Sequence, residues 1–168
     1  MAASRVRGLV AASLAEASSM APQGGPVSLV LRSSEDLLCR NIMCEKLGGA
    51  CLCRLAVCLG RCSGLQSLDL AKNGLATLPE AVLEQQHHLR HLDISDNAFT
   101  SVPPAVLQLS KLTTLSLSGN PLTLASSQVV QMQQLRQLHL SAGQLSLEAA
   151  KQLRTERPEL DVTWREEG

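Results

Sequence analysis

Tyrosine is missing from this sequence, and phenylalanine and tryptophan occur once each, as Phe99 and Trp164. An interior built almost without aromatic rings has to be filled by aliphatic and small side chains, which favours a regular, repeated packing. Neither sign of charge is in excess, since 15 basic residues face 15 acidic ones. No broad positive field steers the surface toward phosphates, so nucleic acid is not an expected partner. Unbroken apolar runs of about 18 residues, the length that crosses a bilayer as a helix, are absent too, and no membrane span is expected. There is no Asn-x-Ser/Thr sequon, and no cysteine follows Cys62.

What the chain has in quantity is leucine at fixed intervals. Leu65, Leu68, Leu70, Asn73 and Leu75 follow the pattern L-x-x-L-x-L-x-x-N-x-L. The pattern returns as Leu89, Leu92, Ile94, Asn97, Phe99 and as Leu112, Leu115, Leu117, Asn120, Leu122, a spacing of about 23 residues. A fourth copy, Leu135, Leu138, Leu140 and Leu145, carries Gly143 where asparagine is expected. In each L-x-L core the leucines point to one side of a strand and the residue between them to the other. One repeat cannot bury its leucines alone, whereas stacked copies make a continuous aliphatic interior.

These residues resemble the leucine-rich repeat family, and Leu78-Pro79 and Val102-Pro103 are similar to the L-P element of its intracellular-type, roughly 23-residue class. The resemblance implies an α/β solenoid: a curved right-handed coil with a parallel sheet on the concave face and helices or turns on the convex face. It also implies that Asn73, Asn97 and Asn120 form a structural ladder, satisfying backbone groups where the chain leaves each strand. Gly143 should then leave the fourth turn looser. Residues 144–164, with a helical stretch from Leu147 to Arg157 and alternating Leu160, Val162 and Trp164, resemble the longer end repeats of ribonuclease-inhibitor-type members. The domain reading is a flexible tail or targeting segment over 1–26 and a single repeat domain over 27–168. Within that domain, 27–64 form an N-terminal cap region, 65–145 the typical repeats and 146–168 a C-terminal cap. Val27, Leu29 and Leu31 alternate as a first strand.

Targeting has two alternative forms in the first 26 residues. Arg5 and Arg7 among serines and alanines suit a mitochondrial transit peptide, and Gly8 to Ala15 ahead of Ala17 suits a short secretory stretch. The six cysteines, Cys39, Cys44, Cys51, Cys53, Cys58 and Cys62, share one window. Paired C-x-x-C knuckles and nearby histidines are lacking, so zinc is not expected, nor any other metal or cofactor. A disulfide cap, as in extracellular family members, is the alternative to reduced thiols packed on a buried face. Leu47, Cys51, Leu55, Cys58, Leu59 and Cys62 share one side at helical spacing and predict a long convex helix. Reduced thiols place the protein in the cytoplasm, with mitochondrial and secreted locations as alternatives.

On the outward face Asp69, Asp93, Ser116, His139 and Asp161 are expected to align in one row. Serine, histidine and aspartate on neighbouring strands raise a hydrolase, but Ser116 sits mid-strand without an oxyanion hole or a G-x-S-x-G elbow. His87, His88 and His91 straddle a loop and a strand start, an arrangement of a surface cluster rather than a ligand set. The expectation is a non-enzymatic, monomeric adaptor or regulatory subunit that binds a protein on the concave face through Asp69, Lys72, His91, Asp93, Asp96, Ser116, Gln137 and His139. Its early end should be acidic, with Asp69, Asp93 and Asp96 projecting free of structural duties.

Overall fold

The leucine pattern predicts strands one repeat apart, and the computed structural model, which describes residues 10–21, 25–37 and 52–165, holds seven of them in a single open parallel sheet, β1 to β7 in sequence order. The strands are β1 (Val10–Ala11), β2 (Ser28–Val30), β3 (Ser67–Asp69), β4 (His91–Asp93), β5 (Thr114–Ser116), β6 (Gln137–Ser141) and β7 (Asp161–Arg165). Leu29, Leu68, Leu92, Leu115 and Leu138 stand side by side across it and are all buried. Helices return the chain between strands: α1 (Leu14–Met20), α2 (Cys53–Leu59), α3 (Glu80–Leu83), α4 (Pro104–Leu107), α5 (Ser126–Gln131) and α6 (Leu147–Glu156). Successive helices touch one another, so they form one layer against one side of the sheet.

Local chemistry sets several of these elements. The Ser13 and Ser146 side chains accept from the Glu16 and Ala149 backbone N–H groups at 3.1 Å each, capping α1 and α6. Pro104 opens α4, where its missing N–H and fixed φ cost nothing. Between the layers lies one aliphatic core with Phe99, fully buried, as its aromatic member. Trp164 stays 43 % exposed at the β7 end. No described helix is long and apolar enough to cross a membrane.

Three differences from the sequence reading have physical causes. Residues 10–20, assigned above to a flexible tail, form β1 and α1. Ala11, Leu14 and Ala17 are buried, α1 packs on α2, and the Asp36 carboxylate accepts from the Leu14 N–H at 2.8 Å. The long convex helix is a seven-residue one, Cys53–Leu59, with Leu55, Cys58 and Leu59 on its buried side. Leu47, Cys39, Cys44 and Cys51 lie outside the described residues. The last strand is shifted: Val162, not Leu160, stands opposite Leu138, and Leu160 is buried just ahead of β7.

The fourth turn is also not loosened. Gly143 takes φ +85°, a conformation open to glycine, and this carries Gln144 into the core. Its amide donates to the carbonyls of Leu117 (3.0 Å) and Asn120 (2.8 Å), while its oxygen accepts from the Ser141 N–H at 2.7 Å. The longer side chain, one position later, does the work of the missing asparagine.

Candidate functional site: the helix-free face of the sheet

The side of the sheet away from the helices is built by the residues flanking each buried leucine. One row runs Val30, Asp69, Asp93, Ser116, His139, Thr163 across β2 to β7. A second, one position before the leucines, runs Ser28, Ser67, His91, Thr114, Gln137, Asp161 in the same strands. Three residues after each central core position, Arg32, Ala71, Ser95, Ser118, Ser141 and Arg165 fall at the next outward position, the last two still within β6 and β7, so two arginines stand at the ends of a line of small residues. Ser95, Ser118 and Ser141 are buried, and this low floor leaves room for the guanidinium groups to lie across it.

Each arginine folds inward. Arg32 donates through Nε to Asp69 Oδ2 at 3.1 Å and through Nη2 to Asp93 Oδ2 at 2.8 Å. Its pKa is raised, first by the hydrogen bond to Asp69. From the other end, Arg165 Nη1 reaches both Asp96 oxygens at 2.8 and 2.9 Å. The remaining carboxylate oxygens turn to the backbone: Asp69 Oδ1 accepts from the Ala71 N–H at 3.0 Å, and Asp93 Oδ1 from the Ser95 N–H at 2.9 Å. The expected acidic end is therefore an ion-paired network of two arginines and three aspartates, and the three aspartates carry structural duties. Asp96 and Lys72 both have positive φ, in the turns that follow the strands. A Cβ on Gly119 would stand 2.2 Å from Asp96 Oδ1, so the close approach requires glycine there.

The expected contact residues thus divide. His91, Ser116, Gln137 and His139 lie on the sheet face, with Gln137 accepting from Thr114 Oγ1 at 3.3 Å. Lys72 is exposed on its turn. Asp69, Asp93 and Asp96 are held in ion pairs. Sequence reasoning missed Arg32, Thr114, Thr163 and Arg165. Counting three residues past Leu29 and Val162 finds the two arginines, but not which carboxylates they reach.

The serine, histidine, aspartate row does not form. Asp161 pairs with Gln137, and the residue beside His139 is Thr163, whose hydroxyl contacts His139 Nδ1. A catalytic imidazole needs a carboxylate at that nitrogen. Ser116 has its carbonyl engaged with the Ile94 N–H at 3.1 Å. Among the described residues no group of three histidine, cysteine, aspartate or glutamate side chains stands close enough to hold a metal.

The deciding geometry is the ladder under the turns. Asn97 Nδ2 donates to Leu70, Ile94 and Ser95 carbonyls at 3.0 Å, and its Oδ1 accepts from Asn73 and Leu75 N–H groups at 3.1 and 2.9 Å. Asn73 and Asn120 repeat this toward their own neighbours. A leucine-rich repeat family profile matches residues 63–122 and 88–145. The chain is a leucine-rich repeat protein.

Solved structures agree. A leucine-rich repeat protein of Leptospira interrogans aligns at 30 % identity over 64 % of this chain and 27 % of its own, with a TM-score of 0.53. Internalin C2 of Listeria monocytogenes aligns at 23 % identity over 88 % of this chain and 55 % of its own, with a TM-score of 0.58. The functional domain of InlJ from Listeria monocytogenes, described as including a cysteine ladder, gives 23 %, 88 %, 26 % and 0.54 in the same order. This leucine-rich repeat protein therefore spans 26 to 55 % of the length of these structures. Its own ladder is built of amides, because no cysteine follows Cys62. A search of curated proteins gives no significant match to the sequence. The family match ends at residue 145, so the ribonuclease-inhibitor-like character of residues 144–164 stays a likeness of sequence pattern alone. Such repeats mark a protein–protein interaction module.

Proposed function

We propose that this leucine-rich repeat protein is a non-enzymatic adaptor or regulatory subunit that holds a protein partner on the helix-free, concave face of its sheet. The observation that carries the reading is the division of labour in each strand. The leucines are buried without exception, while His91, Gln137 and Asp161 between them are exposed in register. Such an array offers side chains on a rigid support, so little ordering entropy is lost on binding.

The arginine–aspartate pairs define the chemistry such a partner presents. A carboxylate on the partner competes for Arg32 or Arg165, and a cationic side chain competes for the aspartates they release. Exposed pairs of this kind contribute little to stability, roughly 0–1 kcal/mol, so exchanging them for intermolecular pairs is inexpensive. The thiols of Cys58 and Cys62, buried and not in disulfides, support a reducing, cytoplasmic location.

The test is affinity capture with quantitative mass spectrometry on wild type, a concave variant (His91→Asp with Gln137→Arg) and a convex control (Gln108→Lys). Loss of the same partner from the concave variant alone supports the reading. Equal capture by all three, or labelling of Ser116 by a fluorophosphonate probe, overturns it.

A further inference from the structure

In an open sheet the last strand, β7, has an outer edge. At β7, among the described residues, nothing pairs with the outer edge. The Asp161 N–H bonds the Arg136 carbonyl at 2.8 Å, and the Arg165 carbonyl accepts from Ala142 at 3.4 Å, so the odd-numbered residues of β7 direct their backbone groups toward β6. By the alternation of a strand, the N–H and C=O groups of Val162 and Trp164 point outward, away from the sheet. Beside them lies a cavity of about 360 Å³ whose apolar wall is Leu145, Leu153, Leu160, Val162 and Trp164 and whose polar wall includes Arg154, Arg157 and Asp161.

From this edge we infer that the leucine-rich repeat protein self-associates, two copies pairing their β7 strands antiparallel about a two-fold axis at Thr163. The sequence Asp161-Val162-Thr163-Trp164-Arg165 is self-complementary in that register. Val162 faces Trp164 of the second copy, and the two residues exchange both outward N–H···O bonds as a hydrogen-bonded pair. The paired apolar side chains lie on the core side and cover the cavity mouth. Thr163 meets its own copy on the axis.

On the helix-free side, Asp161 stands opposite Arg165 of the second copy, in the closer, non-hydrogen-bonded type of pair where opposite charges attract. Asp161 is exposed, and Arg165 is half exposed while it holds Asp96. Its guanidinium has further donors for a second carboxylate. A shift of the register by two residues in either direction removes the Asp161–Arg165 opposition, the pair that joins the two strand ends within β7. An unpaired strand edge is otherwise a liability that proteins cover, and a second copy of the same strand is a partner of complementary chemistry. The monomer expected from sequence is thereby replaced by a reversible dimer with one continuous helix-free face.

Sedimentation equilibrium on the full chain tests this, together with the emission of Trp164, the single tryptophan, and residue-level hydrogen exchange. A small interface of this type gives a weak, concentration-dependent dimer, seen up to about 1 mM protein. Dimer formation should shift Trp164 emission to shorter wavelength and protect the Val162 and Trp164 amides, while Thr163, already bonded to β6, changes little. Arg165→Asp and Asp161→Arg should each raise the dimer Kd by about tenfold or more, because each turns an attractive pair repulsive. The double variant should recover the dimer with itself and fail to pair with wild type. A chain that stays monomeric to about 1 mM overturns the inference, as does a dimer indifferent to both reversals or one that the double variant does not restore. The double variant also guards against misfolding of either single one.

Discussion

The side-chain amide of Gln144 lies 2.8 Å from the carbonyl of Asn120, one turn below it, and so extends the asparagine ladder with a glutamine. Gln144→Ala would leave the Leu117 and Asn120 carbonyls and the Ser141 N–H without that partner in a buried place. The expected cost is about 1–3 kcal/mol, the range for a buried polar group stranded by deletion of its partner. Gln144→Asn, one methylene shorter, should recover little of it. Denaturant midpoints at unchanged slope measure both.

Leu115 is the middle member of the leucine row and is 1 % exposed. Leu115→Ala should destabilise by about 2–5 kcal/mol through lost burial and the cavity it leaves. A change below about 0.5 kcal/mol, typical of surface positions, would remove Leu115 from the core.

Arg157 is a buried cation at the end of α6, and its guanidinium donates to the carbonyls of Met132 (3.1 Å), Gln133 (3.2 Å) and Leu135 (2.8 Å) beyond α5. Hydrogen bonds from a charged donor are worth about 1.5–3 kcal/mol, so Arg157→Ala should lower stability by at least that order. Arg157→Lys should not rescue it, because an ammonium lacks the planar fork that spans several carbonyls. The same fork bonds Glu159 and holds its carboxyl below the usual range. The contribution of that pair is present at neutral pH and is lost as pH falls through the lowered pKa. Acid titration of Glu159 by NMR, in wild type and Arg157→Ala, checks the sign: its pKa should rise in the variant.

Burial pushes the Cys58 thiol up to about 12, with Cys62 adding to the effect and Ser18 and Arg61 opposing it. Burial raises Cys62 as well. A thiol that keeps its proton longer in the folded than in the unfolded chain stabilises the fold below the unfolded value, near 9, and loses that contribution as pH rises toward 12. Stability should therefore decline across that alkaline window, less so in Cys58→Ala. At pH 8 both thiols should react with a disulfide reagent only after denaturation. Rapid native labelling of Cys58 would refute the packing.

Sequence alone determined the repeat, the strands centred on Leu68, Leu92, Leu115 and Leu138, the buried face and the asparagine ladder. Those features obey short-range rules, because the alternation of a strand and a fixed repeat length are written along the chain. Register was legible wherever the spacing stayed constant. It failed at β7, where Asp161 was aligned with His139 although Thr163 stands there: the preceding turn and helix are longer, and counting from Leu160 slips by two. The function of Gln144 was hidden for a similar reason, since a glycine at positive φ moves the ladder residue one place along.

Only the tertiary structure decided which charges meet. Arg32 lies 37 and 61 residues from Asp69 and Asp93, and Arg165 lies 69 residues from Asp96. Stacking the repeats brings these groups within hydrogen-bonding distance and turns an apparently acidic end into a paired surface. Burial of the first helix was decided in the same way: Leu14 and Ala17 have no repeat pattern of their own, and they are ordered by packing on α2. Side-chain pairing across repeats depends on the three-dimensional stack, and no local pattern encodes it.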